Sequence, residues 1–208
     1  KFAFDQTSHN VTNEQEQESI ENIRCETPVE TVNFAMRAIE PEFIDLEDID
    51  CGTSCDFNFL TIAQWSPRKN LEKTIEWFVE EFQNEEVGLI VKANITNNSI
   101  LDHEICRRKL KTLLNKYKHK RKCKIYLLHG DLTDNELIGL YRNPKVKALI
   151  NLAHGEGFGL PMFEAAQHEL PVIAPNWSGH LDFLYAPKKD KKTGKVRIRP
   201  HFANVDYT

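Results

Sequence analysis

From Phe57 onward the chain alternates between two kinds of patterned segment. Residues 57–65, FNFLTIAQW, form a continuous apolar run rich in aromatic and β-branched residues, which predicts a strand. In residues 70–83, NLEKTIEWFVEEFQ, the residues Leu71, Ile75, Phe78, Val79 and Phe82 recur at spacings of three and four. That spacing predicts an amphipathic helix, with Asn70 as its N-cap. VGLIVKA, 87–93, predicts a second strand that is apolar on both faces. ILDHEICRRKLKTLLNKY, 100–117, predicts a second helix with Ile105, Leu110, Leu113 and Leu114 on one side. A third strand is expected in CKIYLLHG, 123–130, then a short helix started by Thr133 or Asp134. A fourth strand in VKALINLA, 146–153, a helix in PMFEAAQHE, 161–169, and a fifth strand in LPVIAP, 170–175, complete the series.

Continuous apolar strands alternating with helices predict the α/β class, a Rossmann-like parallel sheet with helices on both faces. Ligands of such open sheets bind beyond the carboxyl ends of the strands, where helices begin. The stretches QWSPRKN, KANITNNS, LHGDL, AHGEGFGLP and PNWSGH should therefore share one rim. Ahead of this pattern, residues 1–27 are polar and acidic and poor in large apolar side chains, so they predict a surface helix or a partly ordered tail. PVETVNFAM, 28–36, is a candidate short strand, and 37–56 read as an irregular acidic connector. The expected division is an extension and connector over 1–56 and a binding domain over 57–208.

Composition narrows the chemistry. The net charge of −4 gives no general attraction to nucleic acid or to an anionic membrane, so any phosphate site must be local. Five cysteines, Cys25, Cys51, Cys55, Cys106 and Cys123, do not make a disulfide framework in a chain of 208 residues, and a reducing compartment is expected. No second Cys/His pair completes a zinc set with Cys51 and Cys55 at the usual spacing. No apolar run approaches the roughly 20 residues of a spanning helix, and the N-terminus lacks a signal-peptide pattern, so a cytoplasmic location is expected.

The candidate chemistry lies in HGEGFGLPMFEAAQHELPVIAPNWSGH, 154–180. Gly157 and Gly159 let the backbone turn tightly and approach a ligand, and Pro161 suits a first helical turn. The free amides of such a helix start favour an anion such as phosphate. Glu156 and Glu164, eight apart, can each accept paired hydrogen bonds from vicinal hydroxyls. That combination suits a sugar at one glutamate and a ribose at the other, with phosphate between. Arg68 and Lys69, at the carboxyl end of the first strand, can neutralise a diphosphate.

HGEGFGLPMFEAAQHELPVIA resembles the signature of the group 1 (family 4) glycosyltransferases: a glutamate, Gly-Phe-Gly-Leu-Pro, a second glutamate and a Pro-Val-Ile-Ala strand. RKNLEKTIEWF is similar to that family's basic donor-phosphate segment, and LHGDLTDNELIGLY to the stretch after its third strand. The likeness covers residues 57 to about 185, in order. It implies the donor-binding half of a two-domain, B-type glycosyltransferase fold, with the acceptor-binding half absent from this sequence. By the resemblance, Glu156, Arg68 and Lys69 are catalytic: Glu156 contacts the transferred sugar and the two cations neutralise the diphosphate. Gly157, Phe158, Gly159 and Leu160 hold the sugar and phosphate, and Glu164 binds the ribose. The base lies near Lys92, Asn94, His129 and Gly130. The implied donor is a nucleoside-diphosphate sugar, used with retention and without a metal cofactor. The implied acceptor is a carbohydrate, lipid or protein hydroxyl. A non-catalytic binding or interaction domain that keeps the fold is the alternative.

Three departures from the family pattern stand out: Gln64-Trp65 replaces a segment containing glycine, Ala153 replaces a small polar residue, and Glu169-Leu170 replaces the glycine before the Pro-Val strand. His129, His154 and His180 line the expected rim as edge or structural residues. The basic run 118–124 reads as a solvated turn rather than a nucleic-acid contact. The basic run 188–200 reads as a hairpin turning at Thr193-Gly194, or as a loop toward a membrane acceptor.

Overall fold

The apolar runs assemble into six strands that are all parallel, in the order β3-β2-β1-β4-β5-β8. The computed structural model describes residues 39–46, 54–117 and 121–206, which fall in the compact unit Ile39–Thr208. The strands are β1 (Asn58–Gln64), β2 (Gly88–Asn94), β3 (Lys124–Leu128), β4 (Val146–Ile150), β5 (Val172–Pro175) and β8 (Ala203–Val205). The helices are α1 (Leu71–Phe82), α2 (Ile100–Leu114), α3 (Asp134–Tyr141), α4 (Leu160–Gln167) and a single turn, α5 (Leu181–Leu184). A separate antiparallel hairpin, β6 (Tyr185–Lys189) and β7 (Val196–Pro200), interrupts the chain before β8. Its turn contains Thr193-Gly194, with Gly194 at φ +69, as the hairpin reading of the basic run expects.

Each strand presents alternate side chains to two cores. Phe59, Leu89, Val91, Leu127, Ala148 and Ile150 pack under α1 and α2. Leu60, Ile90, Tyr126, Leu149, Val172 and Ala174 pack with Leu140, Tyr141, Met162 and Ala165 of α3 and α4 on the other face. The period of two across a sheet buried on both faces is why the strand sequences read as unbroken apolar runs.

Four local features go beyond the sequence expectations or refine them. In α2 the inner ridge is Asp102, Cys106 and Leu110, spaced by four, with Leu113 and Leu114 partly buried behind it. Ile105 lies off that ridge and is 37% exposed. The ridge is set by Ser99, the N-cap, whose hydroxyl accepts the Asp102 amide, and by Asp102 itself, which reaches the Ile95 and Thr96 amides. Asn70 occupies the N-cap position of α1, but in the left-handed region at φ 52, and its side chain makes no cap bond. It donates instead to the Leu152 carbonyl at 3.0 Å, tying the β1–α1 turn to the segment after β4. The sixth strand, β8, had no counterpart in the sequence reading: three residues that extend a parallel sheet carry too short a pattern to be read alone. Thr133, not Asp134, caps α3, in a reciprocal capping box with Glu136.

Part of the acidic connector is docked. Leu46 is buried in the core, the Glu42 amide donates to the Asn135 carbonyl at 3.0 Å, and Gly139 of α3 has no room for a side chain because the Glu42 carbonyl lies against it. The candidate strand at 28–36, Cys25, Cys51 and Lys118–Lys120 lie outside the described residues. No helix among the described residues is long and apolar enough to cross a membrane.

The departure at Glu169 has a backbone consequence. α4 ends through bonds from the Glu169 and Leu170 amides to Ala166 and Ala165, with Glu169 at φ +61. This is the left-handed C-terminal geometry that glycine adopts without steric cost. Glu169→Gly should therefore raise stability by about 1 kcal/mol, read as a higher denaturation midpoint in urea at unchanged slope.

Candidate functional site

The sheet is wound outward from β1 in two directions, β1-β2-β3 on one side and β4-β5-β8 on the other. The turns leaving β1 and β4 therefore diverge toward opposite faces, which opens a crevice between their carboxyl ends. Arg68 and Lys69 end a 3-10 turn, Pro67–Lys69, on one lip. Glu156 stands on the other, in the loop between β4 and α4.

The three side chains meet. Lys69 Nζ donates to both carboxylate oxygens of Glu156, at 2.6 and 2.8 Å, and Arg68 donates to Oε2 at 3.2 Å. Arg68 also donates to the Gly155 carbonyl at 2.7 Å, and its own carbonyl accepts the His154 amide at 2.9 Å. The inner pair is enclosed, with the Lys69 and Glu156 side chains 16% and 7% exposed, whereas Arg68 is 58% exposed and forms the outer edge. Asn151, at the end of β4, adds a bond to Glu156 Oε1 at 3.3 Å. Burial pushes the Glu156 carboxyl up, but the hydrogen bond and charge of Lys69, with Asn151 and Arg68, outweigh it and hold the group below the ordinary carboxylate value. Glu156 is thus an ionised carboxylate.

The backbone around Glu156 is fixed from a third strand end. Ser178, after β5, accepts the Glu156 amide at 2.8 Å and donates to the Glu156 carbonyl at 2.7 Å. Gly179 donates to the same carbonyl at 3.0 Å. Beyond this anchor the chain turns sharply. Gly159 has φ +88, and a Cβ there would meet Met162 and His180, so glycine is required. Gly157 faces open space. The Gly159 carbonyl accepts the Met162 and Phe163 amides and starts α4, whereas the Gly157, Gly159 and Leu160 amides have no acceptor among the described residues. Outward amides at a helix start, beside two cations, form an anion-binding geometry. Phe158 packs its ring on Phe163 and Phe183, 5.2 and 5.0 Å between centroids, and holds the bend from behind.

Glu164 is a separate station. It lies half-buried on α4, and Tyr141 of α3 donates to its Oε2 at 2.9 Å. Burial raises its carboxyl, only partly offset by the tyrosine bond. It makes no bond to Arg68, Lys69 or Glu156 among the described residues. Lys92, His129 and Gly130 form another group at the ends of β2 and β3. Lys92 Nζ donates to the Gly130 carbonyl at 2.6 Å, and burial lowers its ammonium. The Asn94 carbonyl, in the same row, accepts the Trp65 amide at 2.7 Å.

One trio has the atom types of a metal site: Asp102, Cys106 and His129 bring three ligand-type atoms within 4.8 Å. The trio is hydrogen-bonded instead. Asp102 takes His129 at 3.0 Å and the Ile95 and Thr96 amides at 2.9 Å. Burial would raise its carboxyl, but those bonds hold it well below the usual range. Burial and the facing Asp102 push the Cys106 thiol up to about 11. The trio braces the β2–α2 loop against the end of β3.

The sequence reading missed Asn151, Asp102 and Tyr141. Ser178 was expected only as part of PNWSGH on the shared rim. Each acts through a contact fixed by the folded loops, from 5 to 27 positions along the chain, and none belongs to a local motif. His180, expected at the rim, is 2% exposed beneath it, with Nε2 2.8 Å from the Pro175 carbonyl.

Comparison with known proteins agrees with the resemblance. No family model matches the sequence. The chain is 32% identical over 119 residues, 56% of its length, to the serotype-specific mannosyltransferase WbdA of Escherichia coli, and covers 13% of that protein. It thus spans a small part of the curated relative it matches. Among solved structures it is similar to the C-terminal domain of a glycosyl transferase group 1 family protein, LpcC, from Francisella tularensis. The identity is 16% and the TM-score 0.47, covering 71% of this chain and 72% of that one. It is also similar to a trehalose-6-phosphate protein from E. coli bound with UDP-2-fluoro glucose, at 12% identity and TM-score 0.47 over 62% and 31% of the two chains. The chain resembles the C-terminal domain of a group 1 glycosyltransferase.

The charge at Glu156 is also structural. Glu156→Gln keeps its shape but leaves Lys69 without its counter-charge, and should cost about 1–3 kcal/mol of stability at neutral pH. Because the folded carboxyl is held below its ordinary 4.5, the stabilisation is complete above that value and fades as pH falls below it. Denaturant curves of the two proteins should differ most at neutral pH and converge in acid.

Proposed function

We propose that the domain binds a nucleoside-diphosphate sugar along the rim and, with an acceptor-side domain, transfers the hexose with retention to a hydroxyl of a carbohydrate, lipid or protein. The observation that carries this reading is the Arg68–Lys69–Glu156 cluster at the β1/β4 crevice, beside the unpaired Gly157, Gly159 and Leu160 amides. The likeness to a mannosyltransferase supports the same chemistry.

In this reading the ion pair is a resting arrangement. Glu156 holds Lys69 and Arg68 at the crevice while no diphosphate is present. An arriving diphosphate takes over the cations and the α4 amides, and Glu156 is released to accept hydrogen bonds from sugar hydroxyls. Glu164, one oxygen fixed by Tyr141, has its other oxygen to offer a ribose diol. The base lies against Lys92, Asn94, His129 and Gly130. As the sugar–phosphate bond breaks, negative charge grows on the leaving diphosphate. Lys69, Arg68 and the amides already face that position, so little reorganisation accompanies the charge. The cations and the helix start supply the neutralisation, so the reading needs no metal. Water must be excluded from the cationic sugar-like transition state, and the acceptor-side domain supplies that cover. A lipid-linked acceptor would bring the protein to a membrane surface.

Calorimetry with nucleoside diphosphates and their sugars tests the reading. Lys69→Ala should weaken diphosphate binding about 10- to 100-fold, since a charge-assisted bond is worth about 1.5–3 kcal/mol. Glu164→Ala should weaken nucleoside binding by about tenfold, a neutral-type bond of about 1 kcal/mol or slightly more. Glu156→Gln should keep diphosphate binding but lose discrimination between a nucleotide sugar and the bare diphosphate. Absence of binding across a broad donor panel, or binding unmoved by Lys69→Ala and Glu164→Ala, would refute it and leave a non-catalytic domain whose cluster only clamps the rim.

A further inference from the structure

We infer that the β6–β7 hairpin is a docking arm for an anionic lipid surface. The arm carries Lys188, Lys189, Lys191, Lys192, Lys195, Arg197 and Arg199 against a single acid, Asp190, in a chain whose net charge is −4. None of the seven cations forms an ion pair with a carboxylate among the described residues. Asp190 offsets only one of them: its carboxylate keeps its charge while it is held by the turn. It accepts the Lys192 and Thr193 amides and the Thr193 hydroxyl, at 2.9, 2.7 and 3.0 Å. The Asp190 amide donates to the Lys195 carbonyl at 2.8 Å, and Gly194 donates back at 2.9 Å, so the tip is closed.

The register sorts the side chains. Paired positions are Tyr185↔Pro200, Ala186↔Arg199, Pro187↔Ile198, Lys188↔Arg197 and Lys189↔Val196. Pairs directly opposite share a face and alternate along the ribbon. Tyr185, Pro187, Val196, Ile198 and Pro200 therefore line one face with Lys189, and Lys188, Arg197 and Arg199 line the other. Val196 and Ile198 are each 61% exposed. The base is fixed to the body: the His201 amide donates to the Leu184 carbonyl at 2.8 Å, Tyr185 donates to Asn176 at 2.8 Å, and its ring meets Phe202.

Each feature has a bland explanation, but the combination does not. Lysines on a two-stranded ribbon guard its edges against aggregation. That purpose is defeated by leaving valine and isoleucine exposed on the adjoining face. A nucleic-acid surface would reward the cations but not the aliphatics, whereas the interfacial zone of a bilayer rewards both. The aliphatic strip settles among the upper acyl chains while long cationic side chains on the rim and tip reach the headgroup phosphates. The inference deepens the reading of a transferase with a lipid-linked acceptor, but its test involves no donor and no turnover, so the two can fail separately.

The 208-residue chain is sedimented with phosphatidylcholine vesicles, with and without about one-third phosphatidylglycerol, at low and high salt. Binding is expected to the anionic vesicles alone and to weaken strongly with salt. At about fivefold per cation near the surface, the double variant Lys189→Ala/Lys192→Ala, which removes one cation beside the aliphatic strip and one at the tip, should bind about 25-fold more weakly. Val196→Ser/Ile198→Ser should lose the binding that survives high salt. Far-UV circular dichroism should leave all variants unchanged, as the altered side chains are exposed. No binding to anionic vesicles, equal binding to neutral ones, undiminished binding by either double variant, or capture of an oligonucleotide or acidic polypeptide in place of vesicles would overturn the inference.

Discussion

The crevice between β1 and β4 is the constraint on which the site depends. A parallel sheet that winds both ways from one strand must part its loops at the reversal, and backbone groups and charges exposed there need partners. In this protein the partners are Lys69 and Glu156, joined at 2.6 Å with 16% and 7% of their side chains exposed. The pair is too enclosed to be a surface ion pair of little consequence and too open to be a sealed core pair. That intermediate position suits a charge cluster that can change partners. Arg68, the outer cation, is 58% exposed and leaves the pair facing the crevice mouth.

Around that cluster the rim is held by bonds between segments far apart in sequence. Ser178 grips both the amide and the carbonyl of Glu156, Asn70 reaches Leu152, Lys92 reaches Gly130, and Asp102 gathers His129 with two amides. These bonds tie the end of β1 to that of β4, β2 to β3, and β4 to β5. A site built this way keeps its donors in place before a ligand arrives, which is the condition for electrostatic stabilisation of a developing charge. Asp102, Cys106 and His129 converge in the same way, with the carboxylate taking the histidine and two amides.

The charge is distributed by role. At the rim, cations and carboxylates are paired and partly enclosed. On the β6–β7 ribbon, seven cations face one carboxylate, Asp190, which is held by the turn, and none of the seven forms an ion pair among the described residues. A mild overall charge of −4 therefore conceals a strongly basic arm on an otherwise acidic chain. Net charge limits what a whole protein attracts, and local charge decides what one surface attracts.

Local periodicity alone determined the α/β class, the order of the five main strands and the four main helices, and the rim on which Arg68, Lys69, Glu156 and the glycines gather. It could do so because strand and helix patterns depend on neighbouring residues, and because the parallel arrangement follows from strands that are apolar on both faces. The missing glycine at 169 was visible only through the family resemblance, and the helix still ends with a left-handed residue there. Tertiary structure alone decided the partners. Ile105 lost its inner place to Cys106 because Asp102 is anchored to amides that follow β2. β8 found its place only because β5 offered a free parallel edge. Asn151, Ser178 and Tyr141 entered the site through contacts with residues 5, 22 and 23 positions away. Periodicity records which way a side chain faces, but a hydrogen bond between separate loops is fixed only when packing brings those loops together.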